Sequence, residues 1–350
     1  MEQLSIAGRL IGRDEPPYLI AEIGANHNGD ETLCRVLIDA AKQSGAHAVK
    51  LQSWSKASLI GAAEYRRNAS YSVGMQSSDT LEQQVERYQL DADEQRSVFE
   101  YARQVGITVF SSCFATEEVD LLESLGAPAY KVASMDVNNP SLLAYVAKTR
   151  KPVLLSTGMA TLGEVEQALE VLRTNGSGSV ALLHCVSIYP CPPALVNLRA
   201  LQTWRQAFDV PVGFSDHTLG IAVPLAAVAL GACIVEKHFT IDRTLEGWDH
   251  AISADPAEFR ALADGTAAVH DALGESRRRI SPEELAKRAV FRRRAVARGA
   301  LTSGHRLTSA DLDFKRPGTG IGPDELRYVV GRTLLRDLEP DEEIEWKDLA

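Results

Sequence analysis

No two cysteines in this chain are spaced Cys-x-x-Cys. The five present, Cys34, Cys113, Cys185, Cys191 and Cys233, are odd in number and scattered. That pattern excludes a disulfide framework or a zinc ribbon and fits a reducing cytoplasm. No apolar run approaches the ~18 residues of a membrane span. The opening MEQLSIAGRLIGRDEPP lacks the apolar core of a secretion leader, so a cytoplasmic location is expected. Excess positive charge is missing as well. A net charge of −10 and a pI near 5.4 argue against nucleic acid and anionic membrane as partners. They also make any lysine beside a strand end more informative. Finally, there is no Gly-x-Gly-x-x-Gly. The first strand-to-helix turn reads IGANHNGD, which speaks against a doubly wound dinucleotide-binding sheet.

What the chain does contain is a regular alternation. Short β-rich runs at 18–24, 48–53, 108–113, 129–135, 152–158, 180–187, 211–216 and 233–240 are separated by helical patterns with apolar residues at i, i+3 and i+4. The count predicts an α/β fold, a (β/α)8 TIM barrel spanning 1–275. The stretch 54–90 interrupts the second repeat. Its polar SYSVGMQSSDTLEQQ is expected to form a lid over the barrel mouth. Residues 276–290 read as a basic linker with a short helix. Residues 291–350 read as a small all-β domain built from two related units, GHRLTSADL (304–312) and DEEIEWKDL (341–349). Some 60 residues alone make a marginal core, so this domain is expected to lean on something else.

In a barrel of this kind the reactive groups come from the C-terminal ends of the strands. Those ends carry Glu22; Lys50 and Gln52; Ser111 and Ser112; Lys131 and Ser134; Ser156 and Thr157; Ser187 and Tyr189; Ser215, Asp216 and His217; Glu236, Lys237 and His238. His217 and His238 end the seventh and eighth strands. Two imidazoles beside carboxylates suit a divalent metal with open coordination positions. Lys50 and Lys131, flanked by Ser134, Ser156 and Ser215, suit a phosphate and a carboxylate held together. An imine-forming lysine and a simple ion pair with Glu22 or Glu236 remain alternatives for them. His184 lies mid-strand and reads as structural, His27 is open, and His47, His270 and His305 read as surface residues.

AEIGANHNGD, KLQSW, YKVAS, STGMAT, HCVSIYP, GFSDHT, EKHFT, EGWDHAIS and KRPGTGI occur in this order across the chain. Together they resemble the sialic acid synthase family, phosphoenolpyruvate-dependent nonulosonic acid synthases with a C-terminal antifreeze-like (SAF) domain. The resemblance implies condensation of phosphoenolpyruvate with an N-acylated aldose and release of phosphate. A different, shorter or non-acylated aldose is the alternative acceptor. It implies phosphoenolpyruvate contacts at Lys50, Lys131, Ser134, Ser156, Ser187 and Ser215. It further implies a divalent Mn2+ or Mg2+ on His217 and His238, and proton transfer shared among Glu22, Glu236 and Asp249. Sugar contacts fall on Gln52, Tyr189, Asp249 and Arg316, the last supplied across a domain-swapped homodimer. Three residues depart from the usual pattern: Ser187 replaces Asn, Trp248 replaces Pro and Ala251 replaces Lys. The Trp beside Asp249 is therefore expected to reshape the acceptor pocket. The free ice-binding module that the tail might suggest is disfavoured, because the tail is rich in Asp, Glu and Arg rather than Thr and Ala.

Overall fold

A computed structural model describes residues 3–67, 79–318 and 320–350. The chain divides into two compact units, Met1–Gly274 and Glu275–Ala350. In the first, a hairpin of β1 (Leu4–Ile6) and β2 (Arg9–Ile11) precedes eight parallel strands. These are β3 (Tyr18–Gly24), β4 (Ala48–Ser53), β5 (Thr108–Cys113), β6 (Tyr130–Val132), β7 (Val153–Ser156), β8 (Val180–Cys185), β9 (Val212–Asp216) and β10 (Ile234–His238). They close in sequence order, with β10 pairing β3, into the expected (β/α)8 barrel. Four predicted strands overran at their polar ends. After Val132 the chain turns into a 3-10 helix at Ser134–Asp136, and β7, β8 and β10 stop at Ser156, Cys185 and His238. Beyond those points the regular ladder gives way to single backbone bonds, Thr157 N to Leu183 O and Phe239 N to Glu22 O among them.

Successive strand residues alternate between two packing environments. Leu19, Ala21, Val49, Leu51, Tyr130, Leu155, Leu182 and Val235 pack outward into the large core shared with the helices. Ile20, Ala48, Phe110, Ala129, Leu154, Leu183 and Ile234 fill the barrel interior. Leu4, Ile6 and Ile11 of the β1–β2 hairpin join that interior cluster and plug its lower end, an element the sequence reading did not foresee. Gly213 is required in this layer. A Cβ there would lie 2.6 Å from both Ile234 Cβ and Leu183 Cδ2.

The helices start and stop by local chemistry. Asp30, Asp91 and Thr161 cap helices Glu31–Gln43, Ala92–Val105 and Leu162–Thr174 through their side-chain oxygens. All five cysteines are buried, unpaired thiols. No helix among the described residues is long and apolar enough to cross a membrane. Between β4 and β5 lie helices Lys56–Leu59, Ala62–Arg67 and Leu81–Arg87. Residues 70–78 of the expected lid fall outside the described residues.

The second unit contains the antiparallel pair β11 (Arg294–Ala297) and β12 (Leu312–Lys315) and a compact core of Ala295, Leu307, Leu312, Ile321, Leu334, Ile344 and Leu349. The repeat seen in sequence is a structural repeat. Leu307 and Ile344 are buried, Asp311 and Asp348 each accept the backbone N–H three residues back, and Leu312 and Leu349 are buried again. The short helix expected in the linker is present as Pro282–Phe291. It is grouped with the second unit, where Gly318 N donates to Ala289 O at 3.2 Å.

Candidate active site

Two residues beyond the interior apolar layer, each strand presents its next inward side chain. The set is Glu22, Lys50, Ser112, Lys131, Ser156, Cys185, Ser215 and Glu236, all buried. The backbone period that makes the lower barrel apolar thus makes its upper layer polar, and strand packing fixes each group's position.

Lys50 Nζ is paired with Glu22, donates to Ser112 Oγ at 3.2 Å, and lies 3.9 Å from Glu236 Oε1. Lys131 Nζ approaches the same Glu236 oxygen to 3.4 Å, and Ser215 Oγ donates to it at 2.8 Å. Burial pushes the Lys50 ammonium down to about 7, against the pull of Glu236. Burial also opposes ionisation of Glu236, but Lys131 and Lys50 outweigh it and hold the carboxyl below the usual range. The ion pairs expected as the plain alternative are therefore present. They leave Glu236 Oε2 and Ser156 Oγ without hydrogen-bond partners, whereas the two Glu22 oxygens are taken by Lys50 and Gln52. A buried layer with spare acceptors and hydroxyls is incomplete by the standard of ordinary cores. Ser134 and Ser187 flank Gly158, whose N–H donates to Ser134 Oγ at 3.0 Å. A Cβ on Gly158 would sit 2.7 Å from Ser134 Oγ and collide with Ser187, so the missing side chain keeps this corner open.

The histidines meet as expected. The rings of His217 and His238 lie 5.3 Å apart, and Tyr189 covers His217 at 4.1 Å. His217 Nδ1 is 2.7 Å from Val186 O. A carbonyl only accepts, so Nδ1 carries a proton and Nε2 is the nitrogen left to face the mouth. His238 Nδ1 is buried without a hydrogen-bond partner and lies 3.7 Å from Asp249 Oδ2. Burial and the neighbouring His217 and Lys50 hold His238 well below the usual imidazole range and so neutral. Burial pushes the Asp249 carboxyl up to about 6. Gln52 Nε2 donates to Glu22 Oε1 at 2.8 Å, joining the outer mouth to the inner layer. Among the described residues no cluster of three His, Cys, Asp or Glu is preformed around a metal. The donor set is the imidazoles of His217 and His238 with the Asp249 carboxylate alongside.

Several residues were misjudged or missed. Cys185 completes the polar layer, with Sγ 3.9 Å from His217 Nδ1, and the period-2 alternation alone could have found it. Lys237 faces outward and pairs with Asp216 at 2.8 Å. His47 is half-buried rather than on the surface. It stacks on Tyr18 at 5.7 Å and accepts the Leu19 N–H. His27 is buried and accepts the Gly29 N–H at 3.0 Å, a structural role. His184 is structural as expected, bonded to Val196 O. Arg316 is an exposed residue of the second unit, its guanidinium 5.8 Å from the Phe291 ring.

A closed eight-stranded parallel barrel with a buried, charged, hydroxyl-lined layer at the C-terminal ends of its strands defines a (β/α)8-barrel enzyme. Residues 37–278 match the NeuB family and residues 292–350 match the SAF domain. The chain is 41% identical over 349 residues to an uncharacterised protein of Methanocaldococcus jannaschii, covering 100% of this chain and 99% of that one. It is 38% identical over 340 residues to the N,N'-diacetyllegionaminic acid synthase of Legionella pneumophila, covering 95% and 94%. The N-acetylneuraminic acid synthetase of Leptospira borgpetersenii superposes with a TM-score of 0.74 at 32% identity, covering 82% of this chain and 95% of that one. The chain therefore belongs to the NeuB, or sialic acid synthase, family, with a C-terminal SAF domain. It is a sugar acid synthase of the nonulosonic acid type, and its reaction is a condensation.

Proposed function

We propose that this enzyme condenses phosphoenolpyruvate with the open-chain form of an N-acylated aldose, releasing phosphate and giving a sialic or legionaminic type of acid. The observation that carries the reading is the convergence of two buried ammonium groups, Lys50 and Lys131, on one point, the Glu236 oxygen 3.9 and 3.4 Å away. Both lysines are held in a dry layer with hydroxyls at its edge, where an arriving dianion gains far more than it would in water. On this reading the phosphate and carboxylate of phosphoenolpyruvate take up Lys50, Lys131, Ser134, Ser156, Ser187 and Ser215.

Phosphoenolpyruvate is nucleophilic at its methylene carbon. That carbon bonds to the aldehyde carbon, and the aldehyde oxygen takes up a proton. Water then adds to the cationic enol-ether carbon. The tetrahedral intermediate loses phosphate by C–O cleavage and leaves a keto group. Asp249, raised to about 6, is suited to exchanging a proton near neutral pH. Glu236, with one unpartnered oxygen, and Glu22, whose oxygens face Lys50 and Gln52, are suited to accepting protons from water. Gln52 and Tyr189 border the place left for the sugar.

His217 Nε2 and His238 Nδ1 fit a divalent cation, Mn2+ or Mg2+, which would supply Lewis acidity toward an oxygen. The further expectation of a domain-swapped homodimer, in which Arg316 reaches the partner's sugar site, belongs to the same proposal. A cytoplasmic location agrees with five unpaired buried thiols.

The test is a panel of aldoses incubated with phosphoenolpyruvate and metal. Phosphate release should match the nine-carbon product by mass, and chelation should stop both. Borohydride trapping of pyruvate on Lys50 or Lys131, with no phosphate released, would replace the reading with an imine aldolase. For the dimer, subunits carrying Arg316→Ala and His217→Ala are mixed. Exchange should restore about a quarter of the sites by two-fold symmetry counting. No recovery despite confirmed exchange would assign Arg316 to its own barrel.

A further inference from the structure

The turn after β3, Asn26-His27-Asn28, has no part in the chemistry proposed above. Its two asparagine side chains nevertheless both reach the loop that carries Asp249. Asn26 is fully buried. Its Nδ2 donates to Phe239 O, one residue past His238, and to Ser253 Oγ, each at 2.9 Å. Ser253 Oγ donates in turn to Asp249 O at 2.7 Å. Both branches end on carbonyls, which only accept, so the direction of every bond is settled. Asn26 Oδ1, by contrast, is buried with no hydrogen-bond partner among the described residues. An idle buried acceptor costs stability, so what this residue contributes is its two N–H groups.

Asn28 holds the same loop at a second place. Its Nδ2 donates to Glu246 O at 2.7 Å, and its Oδ1 lies 3.4 Å from His250 Nε2. His250 is itself buried, with Nδ1 2.7 Å from Thr240 Oγ1. Gly247 has no room for a side chain there. A Cβ would lie 2.5 Å from the His250 ring and 2.7 Å from Asn28 Oδ1. Between β10 and the 3-10 helix His250–Ile252 the chain forms no regular secondary structure. Side-chain bonds rather than a ladder must therefore fix Asp249, whose carboxylate lies 3.7 Å from His238 Nδ1. The span from Glu246 to Ser253 is tied at both ends to one turn, and that turn follows the strand carrying Glu22.

We propose that Asn26, Ser253 and Asn28 are positioning residues for Asp249, holding it in register with Glu22 and His238 without touching substrate. The inference rests on the part given to Asp249 in the condensation proposed above. A displacement of about 1 Å at a reacting group can cost on the order of 10²-fold in rate, which is the scale such tethers protect.

The experiment measures kcat and KM for phosphate release with the best acceptor of the aldose panel. Ser253→Ala removes the central hydroxyl and should lower kcat roughly 10- to 100-fold, as for loss of a group that orients an active side chain. KM for phosphoenolpyruvate should stay within about 2-fold, because Lys50 and Lys131 stand on strands that keep their own pairing. Asn28→Gly removes the second tether while suiting the local φ of +52°. It should lower kcat in the same direction and covers the case in which Ser253→Ala does not fold. A double-mutant cycle separates positioning from general stability. In an Asp249→Ala background, Ser253→Ala should change kcat by less than about 2-fold, since the group it positions is gone. An equal loss with and without Asp249 would overturn the proposal, and so would wild-type kcat in both Ser253→Ala and Asn28→Gly. Full activity in Asp249→Ala alone would instead overturn the role of Asp249 beneath it. Absence of phosphate release with every aldose would overturn the condensation reading itself.

Discussion

The two units of this protein handle charge in opposite ways. Around the strand ends of the barrel, Lys50–Glu22, Lys131–Glu236 and Lys237–Asp216 join side chains that are at most 4% exposed. In the C-terminal unit, Arg278–Glu284, Lys315–Asp341 and Arg336–Glu342 join side chains that are 38–72% exposed. Burying an ion pair costs desolvation that its Coulomb energy barely repays. A solvated pair costs little and contributes little. Charge is therefore retained in the barrel for something other than stability. For Lys50 and Lys131 the proposed reason is an anionic substrate. For Lys237 and Asp216 it is position. Asp216 precedes His217, and Lys237 precedes His238. Lys237 Nζ bonds both Asp216 and Thr218 O at 2.7 Å, and Asp216 Oδ1 accepts the Thr218 N–H at 2.9 Å. One ammonium thus clamps the chain on either side of His217 to the strand that carries His238.

The comparison is tested most severely at that clamp. Lys237→Met leaves Asp216 buried and unpaired and should cost about 3–5 kcal/mol, read by urea unfolding. Asp216→Leu combined with Lys237→Met should recover much of that loss. A loss below about 1 kcal/mol for the single variant would mean the pair is solvated after all.

Next comes Lys131→Met. It should lower kcat/KM for phosphoenolpyruvate about 10²-fold, as for loss of one organised charge in a dry site. Its unfolding free energy should fall less than that of Lys237→Met, because Glu236 keeps Lys50 and Ser215 as partners. An equal fall in stability with unchanged kinetics would make Lys131 structural.

A smaller effect is expected in the second unit at Asp311. The Thr308 hydroxyl and backbone N–H and His305 hold its carboxyl down at about 2, below the ordinary 3.8. A depressed folded-state value means the contribution is complete above about pH 4 and is lost as pH falls through 2. Asp311→Asn should cost about 1 kcal/mol at neutral pH, the usual worth of such a cap. It should also flatten the acid limb of stability between pH 4 and 2, and an unchanged limb would assign that limb elsewhere. The smallest effect should come from Lys315→Ala, which removes a pair in which both groups face water. Its cost should stay within about 0.5 kcal/mol and vanish in high salt. A larger, salt-resistant loss would break the contrast between the units.

Much of the site could be read before any coordinates, for a specific reason. Parallel strands buried on both faces are apolar along their length, so Lys50, Lys131, Ser215 and Glu236 stand out as exceptions. Counting in twos from them gives the inward face, and it would have given Cys185 and excluded Lys237. The β1–β2 hairpin left no such signal. Leu4, Ile6 and Ile11 form too short a pattern to be distinguished from an apolar tail, and only the open lower end of the barrel makes them a plug. His47 was misread for a related reason. Its neighbours in sequence are Ala46 and Ala48, whereas its partner is Tyr18, 29 residues earlier.

By itself the sequence determined the eight-fold alternation, the polar strand ends, the histidine pair and the doubled unit of the tail. All of these depend on periods of two and of about 3.6 residues, which local backbone geometry imposes wherever the strand or helix is placed. The tertiary structure alone decided which polar ends meet. Barrel closure brings β10 against β3, and so sets Glu236 between Lys50 and Lys131 from strands far apart in the chain. It also decided that Trp248 joins Trp54 and Tyr88 in an aromatic cluster rather than pointing into solvent. Such contacts depend on where separate elements come to rest in space, and no repeat along the chain encodes that distance.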